Sequence, residues 1–185
     1  MNDRIILGID PGSNITGYGL IHIKQKSPVL LTAGVFDMSA EEDHFIKLQT
    51  IFKSVLHIID EHHPDELAIE EPFYGKNVQS MLKLGRAQGV AIAAALYRNI
   101  PVHGYSPRKI KQSVTGKGSA SKEQVAEMLQ RLLNFKKDLY FLDSTDALAV
   151  ALCHYFQGGG KTTEKGSSYS GWKAFVQQNP ERAVK

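Results

Sequence analysis

One cysteine, Cys153, is all that the 185-residue chain carries. That excludes an internal disulfide framework and any zinc or iron–sulfur site built on several thiolates. No apolar run approaches the ~20 residues of a membrane-spanning helix. The opening Met1-Asn2-Asp3-Arg4 leads straight into a strand-like run and shows no signal-peptide or lipidation pattern. A soluble protein of a reducing, cytoplasmic compartment is expected. Nucleotide motifs are missing too. Gly116-Lys117-Gly118-Ser119 is not a phosphate-binding P-loop, which needs Gly-Lys-Ser/Thr and an earlier glycine at fixed spacing. Gly17-Tyr18-Gly19 lies inside a strand pattern rather than opening a helix, so it is no dinucleotide fingerprint. Internal repeats are absent.

A further absence is local. From Pro72 to Lys122 there is no acidic residue, while Lys76, Lys83, Arg86, Arg98, Arg108, Lys109, Lys111, Lys117 and Lys122 are all basic. The acids crowd instead between Asp37 and Glu71, where only Lys47 and Lys53 oppose them. The formal net charge is +3, and residues 158–185, with five bases against two acids, account for it. A solvated surface usually mixes its signs, so an acid-free basic segment fits a polyanionic partner. Charge alone fits a basic face without a ligand equally well.

The chain is 42% hydrophobic and 22% charged, enough for one ordinary domain core. Residues 4–10 read as a buried strand ending at Pro11-Gly12-Ser13. Residues 16–24 and 29–36 read as two more strands, joined through Lys26-Ser27-Pro28 as a hairpin. Phe45, Leu48, Phe52, Val55, Leu56 and Ile59 recur at helical spacing from about Asp43 to His62-His63-Pro64. A short strand, 67–69, closes on Glu70-Glu71; a Gly- and Ala-rich helix, 77–98, a strand, 100–105, and helices 121–133 and 143–157 follow. The pattern is an α/β layer with an antiparallel hairpin at one edge. Gly158-Gly159-Gly160 sets a catalytic-size unit, 1–157, apart from a flexible basic C-terminal tail, 158–185.

Four carboxylates stand at element ends. Asp10 ends the first strand and Glu70 the fourth; if those strands are neighbours, the two acids share one edge of the sheet. Asp143 and Asp146 are three apart, on one helical face. Taken alone, Asp143 as an N-cap, with Asp146 complementing the helix dipole, explains the second pair more simply. Asp10, between Ile9 and a Pro-Gly turn, is largely desolvated and needs a partner. Converging acids need a cation, and hard oxygen ligands select Mg²⁺ or Mn²⁺, the ions of in-line phosphodiester hydrolysis. Lys122, in a first helical turn behind the Ser121/Gln124 capping box, opposes the helix dipole unless a phosphate sits there. Phe73 in a glycine-containing loop is placed to stack on an unpaired base or to tuck into the core. Cys153, mid-helix, reads as a small core residue.

Ile6-Leu7-Gly8-Ile9-Asp10-Pro11-Gly12-Ser13 with Thr16-Gly17-Tyr18-Gly19 resembles the opening of the RuvC family of bacterial Holliday-junction resolvases. Four further blocks carry the likeness: Ala68-Ile69-Glu70-Glu71 with Phe73 and Lys76-Asn77; Leu82 to Gly89; Lys111-Gln112 with Gly116, Gly118, Ser119 and Lys122; and Asp143 to Ala149. A Gly-Ile-Asp opening is shared with actin-like and sugar-kinase ATPases, but five blocks in order from about Arg4 to Phe156 are specific. The resemblance implies a ribonuclease-H-like fold, a five-stranded mixed sheet flanked by helices. Asp10, Glu70, Asp143 and Asp146 match the family's catalytic, metal-binding acids, implying two Mg²⁺ per subunit with Mn²⁺ as a substitute. Phe73, Lys111 and Lys122 fall where the family contacts DNA, and Lys76 and Lys117, from the acid-free basic segment, are DNA-binding candidates beside them. It further implies a homodimer packed along helix 77–98, work beside the branch-migration proteins RuvA and RuvB, and symmetric nicks leaving 5′-phosphate and 3′-hydroxyl ends. A nuclease of the same fold acting on flaps or forks, a two-domain ATPase and a non-catalytic junction-binding module are the competing readings. An ATPase needs about twice this length, and a pure binder gains nothing from four acids.

Overall fold

The computed structural model describes residues 3–71, 77–135 and 142–158, with residues 142 and 143 described by their backbone only. Five strands, β1 (Arg4–Asp10), β2 (Ile15–Lys24), β3 (Ser27–Asp37), β4 (Glu66–Glu70) and β5 (Val102–Tyr105), form one sheet in the order β3-β2-β1-β4-β5. β1, β2 and β3 are antiparallel neighbours, and β4 and β5 join β1 in parallel, so the sheet is mixed as expected. The hairpin turns at Gln25 and Lys26, both at positive φ, the geometry that suits the twist of paired strands. β3 begins two residues earlier than the sequence pattern suggests and takes in Pro28, which an edge strand tolerates because one side needs no ladder donor.

The helices are α1 (His44–His62), α2 (Val78–Tyr97), α3 (Pro107–Thr115), α4 (Lys122–Leu133) and α5 (Leu142–Phe156). Asp43 caps α1 by accepting from the N–H groups of Phe45 and Ile46, and His63 ends it in the left-handed conformation ahead of Pro64. α5 starts at Leu142, so Asp143 lies inside its first turn and is not the N-cap. α3 was not foreshadowed by periodicity.

Strand alternation sorts the core into two compartments. Leu7, Ile9, Leu20, Leu67 and Ile69 face α1 and α2. Ile6, Ile21, Ile23 and Ala68 face α3, α4 and α5. In α2 the small residues divide by face: Ala87, Ala91, Ala94 and Ala95 are buried against the sheet. Gly85 and Gly89 face open space, with nothing near the Cβ each lacks.

Candidate active site

The period of two puts Asp10 on the same face of β1 as Ile6 and Gly8, and Glu70 on the same face of β4 as Ala68. The parallel register pairs Gly8 with Ala68 and Ile9 with Ile69, so continuing one step sets Asp10 beside Glu70 at the carboxyl edge of the sheet. The turn that follows Asp10 is pinned by Thr16, fully buried, whose hydroxyl donates to the Gly12 carbonyl at 3.0 Å and accepts from the Gly12 N–H at 3.3 Å. Gly12 is needed there because a Cβ would run into the Ile15 carbonyl.

The remaining acid arrives on α5. Gly8 and Gly19 are cross-strand partners, and together they form a floor without side chains on which α5 lies. A Cβ at Gly8 would collide with the Ala147 carbonyl and sit 2.8 Å from the Ala151 nitrogen; one at Gly19 would meet the Leu148 side chain at 2.7 Å. At the other end of the helix, His154 meets Glu66, the first residue of β4. α5 therefore runs opposite to β1 and β4, and its N-terminal turn reaches the edge that holds Asp10 and Glu70.

There the three acids line a cleft of about 210 Å³, with Lys111 from α3, Lys122 from α4, and Pro107, Ile110, Val125 and Ala149. The capping box at Ser121 and Gln124 is present and fixes Lys122 as the first residue of α4. Its ammonium donates to Asp146 Oδ2 at 2.6 Å, which compensates the unfavourable dipole position from within the protein. Burial pushes the Glu70 carboxyl up to about 7; the Asp146 charge adds to the rise, and Lys122 and Lys111 oppose it. Glu70, reluctant to ionise, thus shares the cleft with two further carboxylates, oxygen donors of the class that hard divalent cations take.

Lys117 lines a different groove, of about 220 Å³, with Thr115, Gln124, Met128 and Arg131. The Asp143 side chain, Phe73 and Lys76 lie outside the described residues. Cys153 is buried beside Ser113 Oγ, 3.2 Å away, and burial raises its thiol pKa, in keeping with a core role.

A polar network that the sequence did not announce holds the far end of α5. Arg4 donates to Glu66 Oε2 at 3.1 Å, which also meets His154 Nε2 at 2.9 Å, while the Tyr105 hydroxyl meets His154 Nδ1 at 2.6 Å. Burial lowers the His154 pKa and lifts the Tyr105 phenol to about 12, so a neutral imidazole accepts from the phenol and donates to the carboxylate. With His103, which stacks on His154, Glu66 and His154 form the one trio among the described residues whose potential ligand atoms lie within 4.8 Å of one another. Both nitrogens of His154 are engaged and Arg4 holds the carboxylate, so this trio fastens the helix. In the cleft, by contrast, the Asp146 charge bears on Glu70, and Lys122 is paired with Asp146.

Comparison with known proteins decides the family. Residues 6–154 match the family model described as crossover junction endodeoxyribonuclease RuvC. The chain belongs to the RuvC family. It is 57% identical over 180 residues to the RuvC of Cytophaga hutchinsonii, covering 97% of this chain and 88% of that one. Identity to the RuvC of Bacteroides fragilis is 56% over 184 residues, 98% and 97% of the two chains. Among solved structures, Thermus thermophilus RuvC in complex with Holliday junction substrate superposes with a TM-score of 0.78 at 33% identity, covering 84% of this chain and 94% of that one. The fold is the ribonuclease-H-like fold expected from the motifs. Among the described residues, no helix is long and apolar enough to cross a membrane.

Proposed function

We propose that this RuvC-family chain is a structure-selective endodeoxyribonuclease that resolves Holliday junctions by paired nicks in opposed strands. The observation that carries the reading is the convergence of Asp10, Glu70 and Asp146, from three separate elements, on one cleft flanked by Lys111 and Lys122. The acids of the cleft, with Asp143 three residues before Asp146, would hold Mg²⁺, two per subunit, or Mn²⁺ in its place. Bound there, the cation neutralises charge on the scissile phosphate and favours ionisation of the attacking water. Lys111 and Lys122 hold the strand by its phosphates. Asp10 and Glu70, fixed at strand ends, set where the reacting phosphate rests. Water adds to phosphorus and the P–O3′ bond breaks, leaving a 5′-phosphate and a 3′-hydroxyl. Lys76 and Lys117 are assigned to the DNA from the acid-free basic segment, and Phe73, just before α2, is assigned to it by resemblance. So are RuvA and RuvB as partners, a cytoplasmic location, and a catalytic domain of 1–157 with the basic segment 158–185 outside it.

The test is cleavage of a labelled, non-migrating four-way junction beside a matched linear duplex, with Mg²⁺ and with EDTA. Symmetric, Mg²⁺-dependent nicks in the junction alone are expected. Binding without nicking, on junctions of varied core sequence, would leave a binding module.

A homodimer is supported by α2. Val78, Leu82 and Leu96 are exposed, and with Gly85 and Gly89 they fall on one outward stripe at helical spacing. The two glycines would let a second copy approach backbone to backbone. Gly89→Leu is therefore expected to shift sedimentation from dimer to monomer. Gly89→Ala, in open space, should stabilise the helix by about 0.5–1 kcal/mol. Unaltered sedimentation of Gly89→Leu would move the dimer contact elsewhere.

A further inference from the structure

The carboxyl edge of the sheet carries a second polar pocket, on the α1/α2 side, that the catalytic reading does not use. It is about 180 Å³ and is lined by Ser13, Asn14, Glu42, His44, Lys47, Ser80 and Lys83. Ser13 and Asn14 belong to the turn leaving Asp10, and Ser80 and Lys83 belong to the first turns of the helix that follows Glu70. The pocket thus sits between the two chain segments that leave the catalytic strands. His44 and Lys47 come from the first turn of α1.

Its chemistry is that of an anion site. Two ammonium groups reach it, and Lys47 is steered by a 2.7 Å hydrogen bond to Asn14 Oδ1. The N-terminal turns of α1 and α2 both border it, with Asp43 and Asn77 capping their N–H groups, so the two ammonium groups rather than the helix ends carry its positive charge. His44 Nε2 is shielded from solvent and has no hydrogen-bond partner, the one such buried side-chain atom among the described residues. A buried polar atom left unsatisfied in this way is rare, and a turn of the His44 ring would bring that nitrogen to the pocket it lines. Ser13 and Ser80 are hydroxyl donors suited to phosphate oxygens. The adjacent Phe45 is 74% exposed, and an exposed aromatic beside an anion site suits a nucleotide better than a free ion. Glu42, exposed at the rim, is the only acid in the lining.

We propose that this pocket is a second phosphate-binding subsite, taking a backbone phosphate of the DNA strand that crosses the Asp10–Glu70 edge. Rested on the nuclease reading, it gives that strand a second anchor on the opposite side of the sheet from Lys111 and Lys122. His44, Lys47 and Lys83 are positioning residues, remote from the bond that breaks. Neutralising one phosphate contact removes about one released counter-ion from binding.

The experiment measures binding of an immobile four-way junction in EDTA across a salt series, and its cleavage in Mg²⁺, for Lys83→Ala, His44→Leu, Glu42→Gln and Lys24→Ala. Lys24 is exposed at the opposite end of β2 and serves as the control. Lys83→Ala is expected to bind about 3- to 10-fold more weakly, with the slope of log affinity against log salt smaller by about one. His44→Leu should weaken binding with an unchanged melting temperature, Glu42→Gln should tighten it, and Lys24→Ala should match wild type. Wild-type slopes and rates in Lys83→Ala and His44→Leu, from an enzyme that still nicks junctions, would overturn the subsite and leave the nuclease intact. A wild-type protein that never nicks would overturn the nuclease reading instead. Thermal stabilisation by millimolar inorganic phosphate that is lost in Lys83→Ala, with junction binding unaltered, would mark a free-anion site and overturn the assignment to DNA.

Discussion

Glu70→Gln is expected to abolish junction cleavage, by about 10³-fold or more, and at the same time to stabilise the metal-free protein at pH 8. The two effects have one origin. Glu70 is held up to about 7 by burial and by Asp146, against an ordinary value of 4.5. Below pH 4.5 the carboxyl is protonated in folded and unfolded chains alike, and its environment contributes no difference. Between 4.5 and about 7 the folded state keeps a proton that the unfolded chain has released, so stability falls as pH rises. Above about 7 both are ionised and the full cost stands, on the order of 3 kcal/mol from the size of the shift. The neutral amide avoids that cost. In EDTA, the melting temperature of the variant should exceed that of wild type at pH 8 and converge with it near pH 4. Excess Mg²⁺ should narrow the gap by relieving the wild type. Equal melting temperatures at pH 8 in EDTA would mean that the Glu70 carboxyl is not crowded, and would remove the electrostatic argument for a cation there.

The second large effect is at Gly8, far from any reacting atom in chemical character. Gly8→Ala adds one methyl against the Ala147 carbonyl and the Ala151 nitrogen, both backbone, which cannot rotate aside. α5 has to lift off the sheet, at a cost of about 3 kcal/mol or more. Lifting it also separates Asp146 from Asp10, so cleavage should fall by more than stability alone explains. Activity assayed well below the melting temperature separates the two. A folded Gly8→Ala protein with a wild-type cleavage rate would show that the seating of α5 does not set the position of Asp146.

Much of this was legible in the sequence, for particular reasons. The strands, α1, α2, α4 and α5 announce themselves through apolar periodicity, and their observed bounds lie within about two residues of the pattern. α3 does not, because Arg108, Lys109, Lys111, Gln112 and Ser113 leave only Ile110 and Val114 to bury. Its punctuation was there: Ser106 caps it, Pro107 opens it and Gly116 closes it at positive φ. Asp10 and Glu70 could be named as strand-end acids, but their adjacency needed the sheet order, which no local pattern carries. The same holds for Lys122. Its awkward place in a first turn was visible, whereas its partner, Asp146, is 24 residues away in sequence. Lys117 lines a groove separate from the acidic cleft, and no local pattern in the basic segment distinguishes its position from that of Lys111.

The Lys122–Asp146 pair has a consequence for how affinity is measured. An ammonium already paired with a carboxylate shares its charge and its three donors with any phosphate that arrives, so DNA entering the cleft weakens one contact as it makes another rather than filling an idle charge. Observed junction affinity is then a net quantity, the phosphate contact less the contact given up. Whatever occupies the carboxylate in place of the lysine returns that difference to the DNA. By thermodynamic reciprocity, the DNA returns it in equal measure, and the two ligands of the cleft help one another without any movement of the fold.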